Sequence, residues 1–404
     1  MSPPSSTVAG TSAVTALIQR LARIAGFTVF LGRSTVSNQR ASVELLLIGH
    51  TGQVGGNLLK LLARQPLGYR IRAVAHRAGV YWFRDAVHPA DVKPDELLPG
   101  SAWLDRRGVD FLTLDVATAR LAATGAAAVI VDCTASADIP RRYPRWLTAG
   151  IGVVTPNKIG FAGPQADFEL LQSLAERHGA PLEHEGTVGA ALPVLGTVAD
   201  QRRAGALLTS IEATLSGTLG YVLDQLQQGV RFSTAVERAR EAGYTEPDPW
   251  MDLSGEDVAR KLVILARVGG HALEPSALVR KPLAAPGLPA VDGLAPHFSD
   301  HDGPLAAAVE RAARRGERLA YVARYADGRA LVGLESLPAD HPLVQTRGPD
   351  NVIVLNSAIY PEQPLVIRGP GAGVRATASA VHADLHRAAL KLAARRCGDF
   401  ALAA

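Results

Sequence analysis

A chain of 404 residues, 47% hydrophobic and 20% charged, is long enough for two domains and a large buried core. Its net charge of +4 comes from Lys and Arg interspersed with Asp and Glu rather than from a basic block, so no nucleic-acid surface is expected. No run of 18 apolar residues occurs, so nothing should span a membrane, and two cysteines, Cys133 and Cys397, are too few for a disulfide framework or a closed zinc site.

A reducing, cytoplasmic compartment follows as the expectation. Residues 1–42 carry Arg20, Arg23, Arg33 and Arg40 but no acid. Such a segment fits a basic transit peptide. It also fits a structural element, because Val14, Leu17, Ile18, Leu21 and Ile24 share one helical face and "FTVFL" (27–31) then reads as a strand. The second reading is favoured.

"VELLLIG" (43–49) is a short, β-rich apolar run, as expected of a strand buried on both faces. A glycine-rich turn and the helical "NLLKLLARQ" follow. "YRIRAVAH" (69–76), "AAAVIVDCT" (126–134) and "GIGVVTPNK" (150–158) are further strands, whereas 78–110 has no clear pattern and reads as an irregular insertion. Alternating strands and helices predict an α/β, Rossmann-like, doubly wound parallel sheet over 43–183. An α+β domain is expected over 184–368, with strands at 319–325, 330–335, 351–355 and 364–368. "GPGAG" (369–373) then opens a last helix, so 369–404 forms a C-terminal element.

Gly49, Gly52 and Gly55 are spaced G-x-x-G-x-x-G between the first strand and its helix, one residue longer than the usual dinucleotide loop. Glycines there let backbone approach a pyrophosphate, and the helix N-terminus supplies N–H groups. The cofactor contacts expected from this loop are Gly49, Thr51, Gly52, Gln53, Val54 and Gly55. The second strand ends in His76 and Arg77 rather than an acid. An arginine there suits a 2′-phosphate, so NADP is expected before NAD.

"TEPDPWMDLSGEDVARK" (245–261) is dense in acids and prolines. Pro247 and Pro249 argue against a helix before about 252. Ser254 is the expected N-cap and Asp257 its capping-box partner. Val258, Leu262 and Leu265 form the buried stripe of the following helix, and Asp257 and Lys261 are i, i+4 neighbours. On composition alone, that pair is equally a surface ion pair.

The stretch "AGYTEPDPWMDLSGEDVARKLVILAR" resembles the signature segment of the homoserine dehydrogenase family. "VDCTAS", "VVTPNK", "HEGTVGAALPV", "LSGTLGYVLDQL" and "RGPGAG" extend the resemblance in the family's order over roughly 43–395. Residues 17–34 are similar to the helix and strand preceding the dehydrogenase half of aspartokinase fusions, which implies a regulatory-module remnant and an association with an aspartokinase.

The resemblance implies NAD(P)H-dependent interconversion of L-aspartate 4-semialdehyde and L-homoserine by a homodimer. It implies Lys261 as proton donor, Lys158 at the boundary of cofactor and substrate, and Asp257 beside Lys261 or the substrate. Glu246 and Asp252 are implied to bind the substrate's cationic end, and Thr134, Gly371 and Gly373 to approach the cofactor. It further implies a sodium site of mostly backbone carbonyls at Glu185, Val188, Ala190 and Leu192.

Three positions depart from the family pattern: the longer glycine loop, Ala191 for glycine, and Trp250-Met251 for an Arg-Asp pair. Two alternatives stand beside this reading. One is a catalytically weak paralogue that regulates an aspartokinase; the other is aspartate-semialdehyde dehydrogenase, which needs a nucleophilic cysteine.

Overall fold

The computed structural model describes residues 43–64, 68–97, 101–284, 297–345 and 348–402. The helix and strand expected within 1–42 lie outside the described residues. A seven-stranded sheet has the order β4-β3-β2-β1-β5-β6-β7. Its strands are β1 (Val43–Ile48), β2 (Tyr69–His76), β3 (Gly79–Val87), β4 (Val109–Leu112), β5 (Ala128–Asp132), β6 (Gly152–Val154) and β7 (Leu182–Glu183). All residues of β1 and β5 are buried, as parallel central strands between two helical layers require.

The sheet is parallel from β2 through β7, but β3 pairs antiparallel with β2 and β4 antiparallel with β3. The expected irregular insertion at 78–110 is therefore largely sheet and helix. β2 turns straight back into β3, whose Val80, Trp82 and Phe83 are buried, and a short helix Ala102–Arg106 leads into β4. Its apolar residues escaped sequence reading because Arg84 and Asp85 interrupt their alternation.

A second, six-stranded sheet has the order β13-β12-β8-β10-β11-β9. Its strands are β8 (Leu208–Thr214), β9 (Leu278–Arg280), β10 (Glu317–Ala326), β11 (Arg329–Pro338), β12 (Asp350–Ser357) and β13 (Tyr360–Pro370). All pairs in it are antiparallel except β9 with β11. The last helix, Val374–Leu402, returns to the first sheet. Its Ala378, Val381, Leu385, Ala388 and Leu392 form one stripe in a core shared with Leu58, Leu59 and Leu62 of helix Gln53–Arg64. Each fully buried leucine there contributes roughly 1.5–3 kcal/mol by burial. No described helix is long and apolar enough to cross a membrane.

Candidate active site

The first half of the site is the crevice at the carboxyl ends of β1 and β5, where such sheets bind ligands. Gly49 follows β1 and donates its N–H to the Ala75 carbonyl at 3.0 Å, while Cys133 donates to the Ile48 carbonyl at 3.0 Å. Gly49 has φ +82°, and Thr134 packs against it. Helix Gln53–Arg64 crosses so tightly that a Cβ at Gly55 would lie 2.3 Å from the Gly49 oxygen. Only glycine fits there. Thr51, Gly52 and Gln53 face solvent, and the first N–H groups of the helix, at Gln53, Val54 and Gly55, have no carbonyl one turn earlier in the helix to bond. This is the geometry of an anion seat.

His50 is a residue that sequence reading missed. It is buried, with Nδ1 3.0 Å from the Ala75 oxygen and Nε2 3.3 Å from the Leu97 oxygen. Burial lowers its pKa, so the ring is neutral and donates to one of the two carbonyls. Its one N–H ties the glycine loop to either β2 or the 89–97 segment. At the end of β2, Arg77 is exposed, and the His76 ring lies between Tyr81, at 5.1 Å, and His50, at 5.9 Å.

Asp132, the last residue of β5, is fully buried. Its carboxylate accepts from the Tyr143 hydroxyl at 2.5 Å, the Thr134 N–H at 2.8 Å and the Asn157 amide at 3.3 Å. Thr155 donates to the Asp132 carbonyl at 2.8 Å, and Asn157 also reaches the Ser136 carbonyl at 2.9 Å. This network joins Thr134, beside the glycine loop, to the backbone just before Lys158. Removing one donor from a buried carboxylate costs about 1–3 kcal/mol. Tyr143→Phe should therefore lower the unfolding free energy by about that amount in a urea titration; an unchanged midpoint would show that the network is slack.

Cys133 sits beside this network. Burial, and then the charge of Asp132, push its thiol well above the ordinary range. A thiol held protonated is a poor nucleophile.

The second half of the site comes from 244–261. Here the expected helix start is corrected. Pro249 occupies the first turn of a short helix, Pro249–Leu253, where its missing N–H costs nothing, and Asp248 caps it by accepting from the Trp250 N–H at 3.1 Å. Ser254 closes that helix and accepts from the Glu256 N–H at 3.2 Å, but the N-cap of helix Glu256–Val268 is Gly255. Gly255 has φ +71°, and a Cβ on it would lie 1.8 Å from the Tyr321 hydroxyl. Asp257 is not a capping residue.

Its carboxylate lies between two ammonium groups instead. Lys261 Nζ is 2.8 Å from Asp257 Oδ2, and Lys158 Nζ is 3.2 Å from Oδ1. Lys261 is 7% exposed and also donates to the Leu215 carbonyl at 2.6 Å. The Asp257 side chain is 49% exposed. Its partial burial works against its charged form. The Lys261 and then the Lys158 charges outweigh it and hold the carboxyl well below the usual range.

Asp252 stands at the mouth. Its Oδ2 accepts from the Glu246 N–H at 2.8 Å, and the single Thr218 hydroxyl proton is shared between Asp252 Oδ1, at 3.1 Å, and the Tyr244 carbonyl, at 2.5 Å. Burial raises its pKa, and the charges of Glu246 and Asp257 add to that rise. The three acids thus share one electrostatic neighbourhood, with the Glu246 side chain exposed. Trp250 packs against Phe298 with its ring tilted, centroids 4.5 Å apart, and anchors this loop, whereas Met251 is 59% exposed.

Two further expected groups have other surroundings. Gly371 is buried against the Asn351 amide, so close that a Cβ would overlap it, whereas Gly373 is open with φ +120°. Glu185 accepts from the N–H groups of Val194, Leu195 and Gly196 at 2.8–2.9 Å, closing the start of helix Leu195–Arg203. Among the described residues, no cluster of His, Cys, Asp or Glu side chains is arranged to hold a metal.

The fold and the site define a Rossmann-type dinucleotide-binding half, which contributes Lys158, joined to an α+β half that contributes Asp257 and Lys261. Family models agree with both. "Homoserine dehydrogenase, NAD binding domain" matches residues 51–185, and "Homoserine dehydrogenase" matches 193–386. The homoserine dehydrogenase of Emericella nidulans is 33% identical over 371 residues, covering 85% of this chain and 98% of that protein. The chain belongs to the homoserine dehydrogenase family.

An Arabidopsis thaliana bifunctional aspartokinase/homoserine dehydrogenase is 40% identical over 273 residues, covering 66% of this chain. The chain matches about 30% of the length of that fusion protein. A hyperthermophilic archaeal homoserine dehydrogenase, solved as a mutant in complex with NADPH, superposes with a TM-score of 0.67 at 25% identity, over 87% of this chain and 98% of that one.

Proposed function

We propose that this chain is a homoserine dehydrogenase interconverting L-aspartate 4-semialdehyde and L-homoserine with NADPH. The observation that carries the reading is the cluster of Lys158, Asp257 and Lys261, assembled from both halves at the mouth of the crevice. Bound nicotinamide supplies or accepts the hydride. Lys261 hands a proton to the aldehyde oxygen as that oxygen gains charge, and Asp257 holds the ammonium in place. Lys158 sits where substrate meets nicotinamide. Glu246 and Asp252 hold the substrate's α-ammonium.

The loop of Gly49, Thr51, Gly52, Gln53, Val54 and Gly55 receives the pyrophosphate, with Thr134 and Gly373 near the nicotinamide. Gly371 contributes by letting the "GPGAG" backbone settle on Asn351. We assign 43–183 and 369–404 to the nucleotide half and 184–368 to the catalytic half.

Arg77, exposed and with no carboxylate within ion-pair distance among the described residues, selects NADPH through the 2′-phosphate. A charged hydrogen bond contributes about 1.5–3 kcal/mol. Arg77→Ala should raise KM for NADPH by roughly tenfold or more and leave KM for NADH unchanged; equal losses with both cofactors would reject the role.

A sodium ion at Glu185, Val188, Ala190 and Leu192 fits in part. No described donor reaches the buried Val188 and Ala190 carbonyls, but the Leu192 carbonyl accepts from Val194 at 2.9 Å. The edge strand β13, with Tyr360 and Val366 exposed, supports a homodimer built on the second sheet. The resemblance to fusion proteins supports an association with an aspartokinase.

Cofactor turnover by the purified chain with L-homoserine or L-aspartate 4-semialdehyde tests the reading. Turnover with both substrates is expected. Phosphate-dependent oxidation of the semialdehyde would favour the thioester enzyme, against which the half-buried Cys133 thiol, held protonated, speaks. No turnover together with tight aspartokinase binding would favour a regulatory partner.

A further inference from the structure

Arg267 is 2% exposed, and among the described residues no carboxylate lies within ion-pair distance of it. Its guanidinium is spent on backbone carbonyls. Nη1 donates to Phe161 at 2.7 Å, Nη2 to Gly163 at 2.7 Å and to Leu273 at 2.8 Å, and Nε to Leu273 at 3.1 Å. Phe168 covers the group, with its ring centre 5.6 Å away. A charge this deep costs several kcal/mol to desolvate unless its donors are satisfied.

The carbonyls it chooses have a common place. Phe161 and Gly163 belong to the turn that begins at Lys158, including helix Ile159–Ala162, and Leu273 lies just beyond the helix that carries Asp257 and Lys261. Arg267 is six residues past Lys261 on that helix, about 9 Å along its axis. The same seam is stitched by Gln165, whose side chain accepts from the Leu273 N–H at 3.2 Å and whose N–H reaches the Glu274 carboxylate at 3.2 Å.

We propose that Arg267 is a positioning residue that sets the spacing between Lys158 and the Asp257–Lys261 pair. The inference rests on the function proposed above. Lys158 comes from one half of the molecule and Asp257 from the other, and their 3.2 Å contact survives only if the two backbones keep register. The fork of Arg267 holds both backbones at once. Lysine does so only in part, because a single Nζ can reach some of these carbonyls but lacks the planar, divergent donors of a guanidinium.

Two variants test this. Arg267→Met replaces a buried charge by an apolar chain of similar reach, which proteins often tolerate. It is expected to lower kcat by roughly 10- to 100-fold, the scale of an ångström of misplacement, with KM for NADPH within about threefold. Loosening Lys158 from Asp257 raises the Asp257 pKa, so the acid limb of the pH profile moves to higher pH. Arg267→Lys should recover part of kcat. If the Met variant fails to fold, the Lys variant decides by the same measures.

A role in stability alone predicts a lower Tm with kcat within twofold and an unmoved pH profile in either folded variant, and that result would overturn the proposal. Labelling of Lys158 by an amine reagent, followed by mass spectrometry, should be at least about threefold faster in Arg267→Met. Unchanged labelling sinks the clamp, whereas an inactive wild type with faster labelling in the variant sinks only the assigned activity.

Discussion

Lys261→Ala is expected to reduce kcat by about a thousandfold while leaving NADPH affinity within a few-fold, because a positioned proton donor contributes roughly 10²–10⁴ in rate. The geometry makes the separation sharp. Lys261 lies buried beneath the acid loop, with its ammonium fixed by the Leu215 carbonyl and Asp257, and none of its contacts belongs to the glycine loop. The substitution strips the charge from the place where the aldehyde oxygen develops its own. It also leaves Asp257 with one lysine instead of two. Steady-state rates beside a fluorescence titration with NADPH check the result; parallel losses in both would show that Lys261 supports cofactor binding rather than chemistry.

Asp257→Asn is expected to cost about a hundredfold in kcat through misplacement of both ammonium groups, which then face each other without an anion between them. It also carries a pH signature. Although burial opposes its charge, the Asp257 carboxyl is held well below the usual carboxylate range by Lys261 and Lys158. A carboxyl depressed on folding stabilises the protein above its unfolded value, near 4, and that contribution disappears as pH falls toward the folded value. The stability gap between wild type and Asp257→Asn, measured by urea unfolding, should be widest at neutral pH and shrink below about pH 4. A gap that is constant with pH would mean that the two ion pairs contribute nothing to folding.

The strands were legible where pattern and burial agree. β2 spans the run expected at 69–76, and β10 to β13 contain the four segments expected between 319 and 368. Val258, Leu262 and Leu265 are buried on the helix that carries Lys261, as their spacing predicts. The acid loop was legible in its residues but not in its backbone. Pro249 looks like a barrier in sequence, although at the first position of a short helix it is compatible with helical geometry. Ser254 and Asp257 matched a capping box in sequence, yet Asp257 had stronger partners in space, one of them Lys158, ninety-nine residues away.

What escaped entirely are groups whose roles depend on distant backbone. Asp132 looks like the polar end of a strand until Tyr143 and Asn157 converge on it. His50 looks like filler in a glycine loop until the Ala75 and Leu97 carbonyls close around it. Arg267 looks like a surface residue at a helix end. No periodicity marks a side chain that bonds to carbonyls a hundred residues away. The substituted pair Trp250-Met251 divides in the same manner: Trp250 is absorbed into packing with Phe298, and Met251 is left on the surface.

The most direct measurement is a crystal structure of the chain with NADP and L-homoserine bound together. The hydroxyl oxygen of homoserine should lie within hydrogen-bond reach of Lys261 Nζ, at about 3 Å, with its ammonium on the side of Glu246 and Asp252 and its C4 toward the nicotinamide. A homoserine whose carboxylate occupies Lys261, with the hydroxyl turned away from both lysines, would contradict the assignment of Lys261 as the group that protonates the aldehyde oxygen.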